Sequence, residues 1–341
     1  MVMIDDATGV AARAVGDPIL RVQDLHTYFA TDRGILRAVD GVSFDLYPGE
    51  TFGIVGESGS GKSVTCRSLI GLLPRPPAYT TGTVRYDGRN LVDLPERDMR
   101  KIRGAHISMI FQDPMTALNP VMRVGDQIAE SLEAHAAVPA RQRQAVALEL
   151  MRHVGIPLAE RRMRDYPHQF SGGMRQRVVI AIALACRPKV LLADEPTTAL
   201  DVTIQDQILS LLLTLQRDFG TSVILVSHDL GVIAETCDRV AVMYGGQIVE
   251  IGDTATLLTR PRHPYTIGLL RSLPGATATR YLTPIAGSPP SLVDPAPGCR
   301  FYDRCPLHTD ECRTWDTTLL PVGPGHGARC WRHEYVEDTR D

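Results

Sequence analysis

Gly56-Glu57-Ser58-Gly59-Ser60-Gly61-Lys62-Ser63 has the residue types and spacing to hold a polyphosphate. It fits G-x-x-x-x-G-K-[ST], a loop whose backbone N–H groups surround phosphate oxygens. Its glycines permit the tight turn, and a helix starting at the end of the loop adds its positive N-terminal pole. Lys62 supplies a charge for the β- and γ-phosphates, and Ser63 a hydroxyl for Mg²⁺. The flanking elements suit the task. Thr51–Val55 is short and apolar, like a buried parallel strand, and Val64–Leu73 reads as a helix stopped by Pro74. Strand, loop and helix in that order imply a nucleotide site.

Five other groups of residues have chemistry to offer. The apolar strand Val190–Ala193 ends in Asp194-Glu195, where one carboxylate can hold Mg²⁺ and the next can deprotonate an attacking water. A second strand, Ile107–Phe111, ends at Gln112, which can reach a metal-bound water or a phosphate. Ser171-Gly172-Gly173 precedes the apolar helix Val178–Ala185; Ser171 is an N-cap, and the two glycines leave N–H groups open for a second anion. His228 follows the core strand Ser222–Val226, at the strand end where α/β proteins bind ligands. Phe29, or its neighbour Tyr28, can stack on a purine ring.

The remaining elements must position these groups. Ile19–Phe29 and Ile35–Leu46 read as strands around a turn at Thr31–Gly34, and Gly82–Asp93 as more strand and turn. Met122–Arg164 has helical spacing throughout and reads as an inserted helical subdomain. A helix from about Thr203 to Arg217 leads to Ser222–Val226, and Val240–Tyr244 and Gln247–Ile251 form a hairpin around Gly245-Gly246. Residues 1–17 read as a loose arm. From Arg260 onward prolines interrupt everything except a short helix near Tyr265–Ser272.

A chain of 341 residues with 44% hydrophobic content can bury one large or two ordinary cores. A net charge of −3 gives no electrostatic case for nucleic acid. Asp5 and Asp6 near the N-terminus, with no long apolar run, argue against a signal peptide, and no apolar run is long enough to span a bilayer. The expectation is a protein of the cytosol, whose seven cysteines are reduced thiols or metal ligands. Four of them, Cys299, Cys305, Cys312 and Cys330, fall in the proline-rich tail, a segment that by composition needs a staple. Their spacing leaves three readings open: a [4Fe–4S] cluster, structural Zn²⁺, or unligated thiols.

In their order along the chain these motifs resemble an ATP-binding cassette (ABC) subunit over roughly residues 18–260. Gly56–Ser63 is similar to Walker A, Gln112 to the Q-loop, Ser171–Gln176 to the signature, Val190–Glu195 to Walker B, Ala199–Asp201 to the D-loop and His228 to the switch histidine. Met174 departs from the commonest signature, which has glutamine there; the change is frequent in the peptide-importer branch. The tail resembles that branch too, through His263-Pro264-Tyr265-Thr266, Leu269-Leu270, Gly287-Ser288-Pro289-Pro290 and the four cysteines.

The resemblance implies an α/β fold of the P-loop NTPase ABC type. It has a helical subdomain (113–169), an antiparallel β subdomain and a cysteine-containing C-terminal extension (261–341). It implies an ATPase using ATP and Mg²⁺, with Glu195, His228 and Gln112 in catalysis. Gly56–Ser63, Phe29, Ser171, Gly172, Gly173 and Asp194 then bind nucleotide, and Ser63, Gln112 and Asp194 serve Mg²⁺. It also tips the cysteine site toward [4Fe–4S], with Zn²⁺ as the alternative. Two cassettes would close head-to-tail on two ATP molecules, each ATP between one subunit's Walker A and the other's signature helix. The second cassette is expected to be a homologue. The pair would sit at the cytoplasmic face of the inner membrane and drive two permease subunits fed by an extracellular peptide-binding protein. A soluble ABC-type ATPase, or import of nickel or glutathione, is the alternative.

Overall fold

The structure is a computed structural model and describes residues 16–135, 138–198, 200–272 and 284–339. The loose arm expected at 1–17 lies almost wholly outside these residues, as does Ala199. In chain order the strands are β1 (Leu20–Thr31), β2 (Gly34–Leu46), β3 (Thr51–Val55), β4 (Ala78–Tyr86), β5 (Arg89–Asn90) and β6 (Ile107–Ile110). There follow β7 (Val190–Asp194), β8 (Ser222–Ser227), β9 (Arg239–Tyr244), β10 (Gln247–Asp253), β11 (Leu320–Gly323) and β12 (His326–Ala328).

Two compact units emerge. One gathers the described residues up to Tyr47, Thr51–Asp93 and those from Ser227 onward; the other takes Pro48–Glu50 and Leu94–Val226. In the first unit β1 pairs antiparallel with both β2 and β4, and β5 closes the order β2-β1-β4-β5, the antiparallel subdomain expected from sequence. A second set runs β11-β12-β10-β9-β3, in which β3 and β9 are parallel and the rest antiparallel. Every residue of β3 and β9 is buried, which is why both read as continuous apolar runs rather than alternating ones. Phe52 of β3 stacks on Phe44 of β2, with ring centroids 4.9 Å apart.

In the second unit β6, β7 and β8 are parallel neighbours, again with fully buried strands. The inserted region is helical as expected: Val124–His135, Ala140–His153 and Ala159–Arg162. Among the described residues no helix is long and apolar enough to cross a membrane.

Two boundaries moved. The helix after the phosphate loop is Lys62–Leu69 rather than Val64–Leu73. Gly71, at φ +59°, ends it early: its N–H bonds Ser68 O (3.1 Å) and that of Leu72 bonds Arg67 O (2.9 Å), a glycine-dependent helix stop that pre-empts Pro74. The tail differs more. Besides the helix Pro264–Arg271 it contributes β11 and β12, and β12 extends the first unit's sheet by pairing with β10 (Glu250↔Ala328, Ile251↔Gly327). The strands escape a sequence reading because they are three and four residues long and carry no apolar alternation.

Candidate functional site

The phosphate loop leaves the C-terminal end of β3 and turns into the helix Lys62–Leu69. Gly56 (φ +157°) and Gly61 (φ +105°) are required by close backbone approach: a Cβ at Gly56 would lie 2.1 Å from Met243 O, and one at Gly61 2.3 Å from Ala38 O. The turn is tied by Ser60 N–H to Glu57 O (3.2 Å) and by Gly246 N–H to Ser60 O (3.0 Å). Lys62 is 4% exposed and donates to Gly56 O (2.7 Å) and Glu57 O (2.9 Å). A buried ammonium set among the carbonyl oxygens of this loop is placed to make a charge-assisted bond to a phosphate bound there. The Ser60 hydroxyl oxygen is buried without a hydrogen-bond partner among the described residues, a second sign that the cradle suits an anion.

Glu57 stands apart within the loop. Its N–H donates to the Tyr265 hydroxyl (2.8 Å) and its carboxylate pairs with Arg304, so these two groups are committed to the protein. Of the two aromatics named as purine platforms, Tyr28 is engaged: its hydroxyl donates to Asp40 Oδ1 (2.5 Å), and the Arg37 guanidinium lies 5.4 Å from its ring centroid. Burial, with Asp40 beside it, pushes the Tyr28 hydroxyl up to about 12. Burial works to raise Asp40 as well, but the Tyr28 hydrogen bond and the Arg300 charge outweigh it and hold the carboxyl below its ordinary range. Phe29 is half-buried on the same strand.

In the second unit Asp194 ends β7 with no exposed surface, and Glu195 follows it. Glu195 has φ +47°, a left-handed conformation costly for a residue with a side chain, and strain of this kind concentrates at functional positions. Its Oε2 accepts from Gln112 Nε2 (3.0 Å) and Thr198 Oγ1 (2.8 Å). The Q-loop residue and the proposed base are therefore in direct contact.

Ser171 caps the helix Gly172–Leu184, its Oγ accepting from Met174 N–H (3.4 Å). Gly172 and Gly173 form the first turn, and Arg175 reaches Pro167 O (2.8 Å) and Met115 Sδ, which lies just beyond Gln112. Asp201 caps Val202–Phe219 by accepting from Ile204 N–H (3.0 Å). In the first unit, Ser227 Oγ accepts from Asp229 N–H (2.9 Å), which fixes the exposed turn that carries His228.

Ser63 in the first unit and Asp194 in the second each carry a hard oxygen donor of the type Mg²⁺ takes.

The cysteine expectation is corrected. Cys299, Cys305, Cys312 and Cys330 do line one pocket, but among the described residues no three His, Cys, Asp or Glu side chains are placed to hold a metal ion. The cavity that the four share with Phe301, Trp315 and Arg329 is about 20 Å³, room for roughly one water. Burial pushes Cys305 up to about 11 and Cys330 to about 12; at Cys312 burial also acts to raise the thiol, but hydrogen bonds from Thr309 and Trp331 outweigh it and hold it below its ordinary range. Neither [4Fe–4S] nor the Zn²⁺ alternative stands.

A family model described as ABC transporter matches residues 39–198, and one described as oligopeptide/dipeptide transporter, C-terminal region, matches 249–312. A probable peptide ABC transporter ATP-binding protein of Sinorhizobium fredii is 51% identical over 94% of this chain and 96% of its own length. The chain belongs to the oligopeptide/dipeptide family of ABC transporter ATP-binding proteins. A dipeptide transport ATP-binding protein of Bacillus subtilis is 52% identical to this cassette over 92% of the chain and 95% of the relative. An oligopeptide transport ATP-binding protein of Escherichia coli is 46% identical over 97% and 98%. Among solved structures, a dimeric ATP-binding cassette in a post-hydrolysis state with ADP and phosphate covers 69% of this chain and 98% of its own at 29% identity, with a TM-score of 0.61. Membership makes the cassette an ATPase that uses ATP and Mg²⁺.

The residues that sequence reasoning missed are Tyr265 and Arg304. They lie 208 and 247 positions from Glu57, beyond the reach of any local motif.

Proposed function

We propose that this chain is the ATP-hydrolysing subunit that powers import of dipeptides and oligopeptides through an ABC permease. The observation that carries the reading is a buried Lys62 in a complete phosphate loop, in one chain with the peptide-transporter C-terminal region. Lys62 and the loop N–H groups from Ser58 to Ser63 bind the β- and γ-phosphates, and Ser63, Gln112 and Asp194 serve the Mg²⁺ that shields them. Glu195 takes a proton from the attacking water, and Gln112, bonded to it, orients it and senses the nucleotide. His228 contacts the γ-phosphate, and Phe29 stacks on the adenine. Ser171, Gly172 and Gly173 serve the ATP of an opposing cassette, which we take to be a homologous subunit.

As functional modules we propose residues 18–260 for the cassette, 113–169 within it for docking to the permease, and 261–341 for the extension. Two permease subunits and an extracellular peptide-binding protein complete the assembly, with this chain peripheral on the cytoplasmic face of the membrane. Peptide-stimulated ATP turnover and uptake of labelled dipeptide by vesicles carrying the assembled transporter test the reading. Both should vanish with Glu195→Gln. Turnover of that variant near wild type would overturn Glu195 as the base, and uptake insensitive to it would overturn the coupling.

A further inference from the structure

The guanidinium of Arg304 is 5% exposed and spends all five of its N–H donors. Two go to the Glu57 carboxylate, Nη1 to Oε2 (2.8 Å) and Nη2 to Oε1 (3.0 Å), the bidentate geometry that a lysine cannot reproduce. The others reach Tyr244 OH (3.2 Å), Ile285 O (3.2 Å) and Ala286 O (2.9 Å). Its charge also lies 5.6 Å from the Tyr244 ring centroid and 5.8 Å from that of Phe301.

Tyr265, fully buried, packs on the same two rings at 4.5 and 5.4 Å and accepts the Glu57 N–H (2.8 Å). Pro289, Pro290 and Leu292 line a small cavity with Glu57–Ser60. Thus Arg304 and Tyr265, both from the C-terminal extension, grip the first variable residue of the phosphate loop on its side chain and its backbone. The same residue's carbonyl holds Lys62.

We infer that the C-terminal extension is a clamp on the phosphate loop, with Arg304 and Tyr265 as positioning residues that set ATP affinity. The inference rests on the ATPase reading above and adds to it a role for the tail. A loop free to relax must lose conformational entropy each time phosphate binds; a loop already tied at Glu57 has lost it on folding. Neither residue needs to touch nucleotide. The Glu57 N–H is spent on Tyr265, which leaves the N–H groups further along the loop to meet the phosphates.

Binding of a fluorescent, slowly hydrolysed ATP analogue to the full-length chain tests this. Arg304→Gln should raise the analogue's Kd about tenfold, and Tyr265→Phe, which keeps the ring packing, about threefold. Arg304→Lys should recover part of the loss. Because the two side chains act through one pair, Glu57→Gln combined with Arg304→Gln should bind no more weakly than Arg304→Gln alone. In the assembled transporter the KM for ATP should rise while kcat stays within about twofold, the pattern of lost ground-state binding.

Equal Kd values for wild type, Arg304→Gln and Tyr265→Phe would overturn the inference, as would losses at Glu57 and Arg304 that multiply in full. Should Arg304→Gln fail to fold, Tyr265→Phe decides by the same criterion. A wild-type chain that does not bind the analogue would overturn the ATPase reading, and the clamp with it.

Discussion

Lys62 is held in place before any nucleotide arrives. Its ammonium is buried against two carbonyls of its own loop, so the loop itself sets where the charge sits. Lys62→Ala therefore removes an interaction that water cannot replace, and ATP affinity should fall at least tenfold, in keeping with charge-assisted bonds of about 1.5–3 kcal/mol. Isothermal titration with ATP would measure it; an unchanged Kd would remove Lys62 from the phosphate site. Glu195→Gln separates binding from chemistry. The amide keeps an oxygen for the Gln112 and Thr198 bonds but cannot take a proton, so ATP should bind as before while turnover falls about 10²–10⁴-fold. A single-turnover assay with labelled ATP checks both halves. These two residues were legible because their chemistry is written locally, in a loop pattern and at the end of an apolar strand. Arg304 was not, because an arginine before a cysteine has no pattern until the fold brings it to Glu57, and Tyr265 was visible only within the tail motif His263–Thr266, with no role attached to it.

At the scale of elements, caps and turns decide where helices begin. The tail helix Pro264–Arg271 starts at His263, whose Nδ1 accepts the Tyr265 N–H (3.1 Å), so the same short helix is aimed by a buried histidine and presents the tyrosine of the clamp. His263 is 1% exposed; burial, with Arg329 adding to it, lowers its pKa to about 3. The Nδ1 bond needs the neutral ring. Unfolding releases the ring to an ordinary pKa near 6.5, so between about pH 6.5 and pH 3 the unfolded chain binds one more proton than the folded one. Stability must then rise with pH through that window, and fall as the solution is acidified below about 6.5. From pH 7 to pH 5 the loss from this one group is on the order of 2 kcal/mol. His263→Asn keeps a capping acceptor without the titration, so its denaturation midpoints should change less over that range than those of wild type. Parallel curves for the two proteins would show that His263 binds protons alike in the folded and the unfolded chain. The short helix itself was visible in the sequence. The two strands beyond it were not, since their register is set by pairing with β10 and not by any alternation of their own.

For the molecule as a whole, the tail is held by the cassette through buried polar contacts, and this replaces the metal staple that its composition called for. Arg300 pairs with Asp40 of β2, Arg304 with Glu57 of the phosphate loop, and His326 with Glu250 of β10. The backbone joins in: Arg37 N–H donates to Leu292 O (2.8 Å) and Asp294 N–H to Ile35 O (3.0 Å). Glu250 has no exposed surface, and its carboxylate accepts from Arg262 N–H (2.6 Å), His263 N–H (3.0 Å) and bonds His326 Nε2 (2.8 Å). All three partners lie beyond residue 260. A chain cut after Arg260 would keep the ABC motifs of residues 56–228 yet strip the Glu250 carboxylate of those partners, and it would open the edge of β10 to other chains. Losing partners of a buried charge costs about 3–5 kcal/mol, which for a domain of this size lowers the unfolding temperature by on the order of 10 °C. The truncated chain should therefore aggregate or melt well below the full-length protein, and what remains soluble should bind ATP more weakly because Glu57 has lost both Arg304 and Tyr265. Glu250→Gln in the truncated chain replaces the buried carboxylate by a neutral amide and should restore part of the thermal stability without restoring ATP affinity. Thermal unfolding and nucleotide titration on the same samples separate the two effects. Equal melting and equal affinity with and without the tail would mean that the extension is an independent appendage.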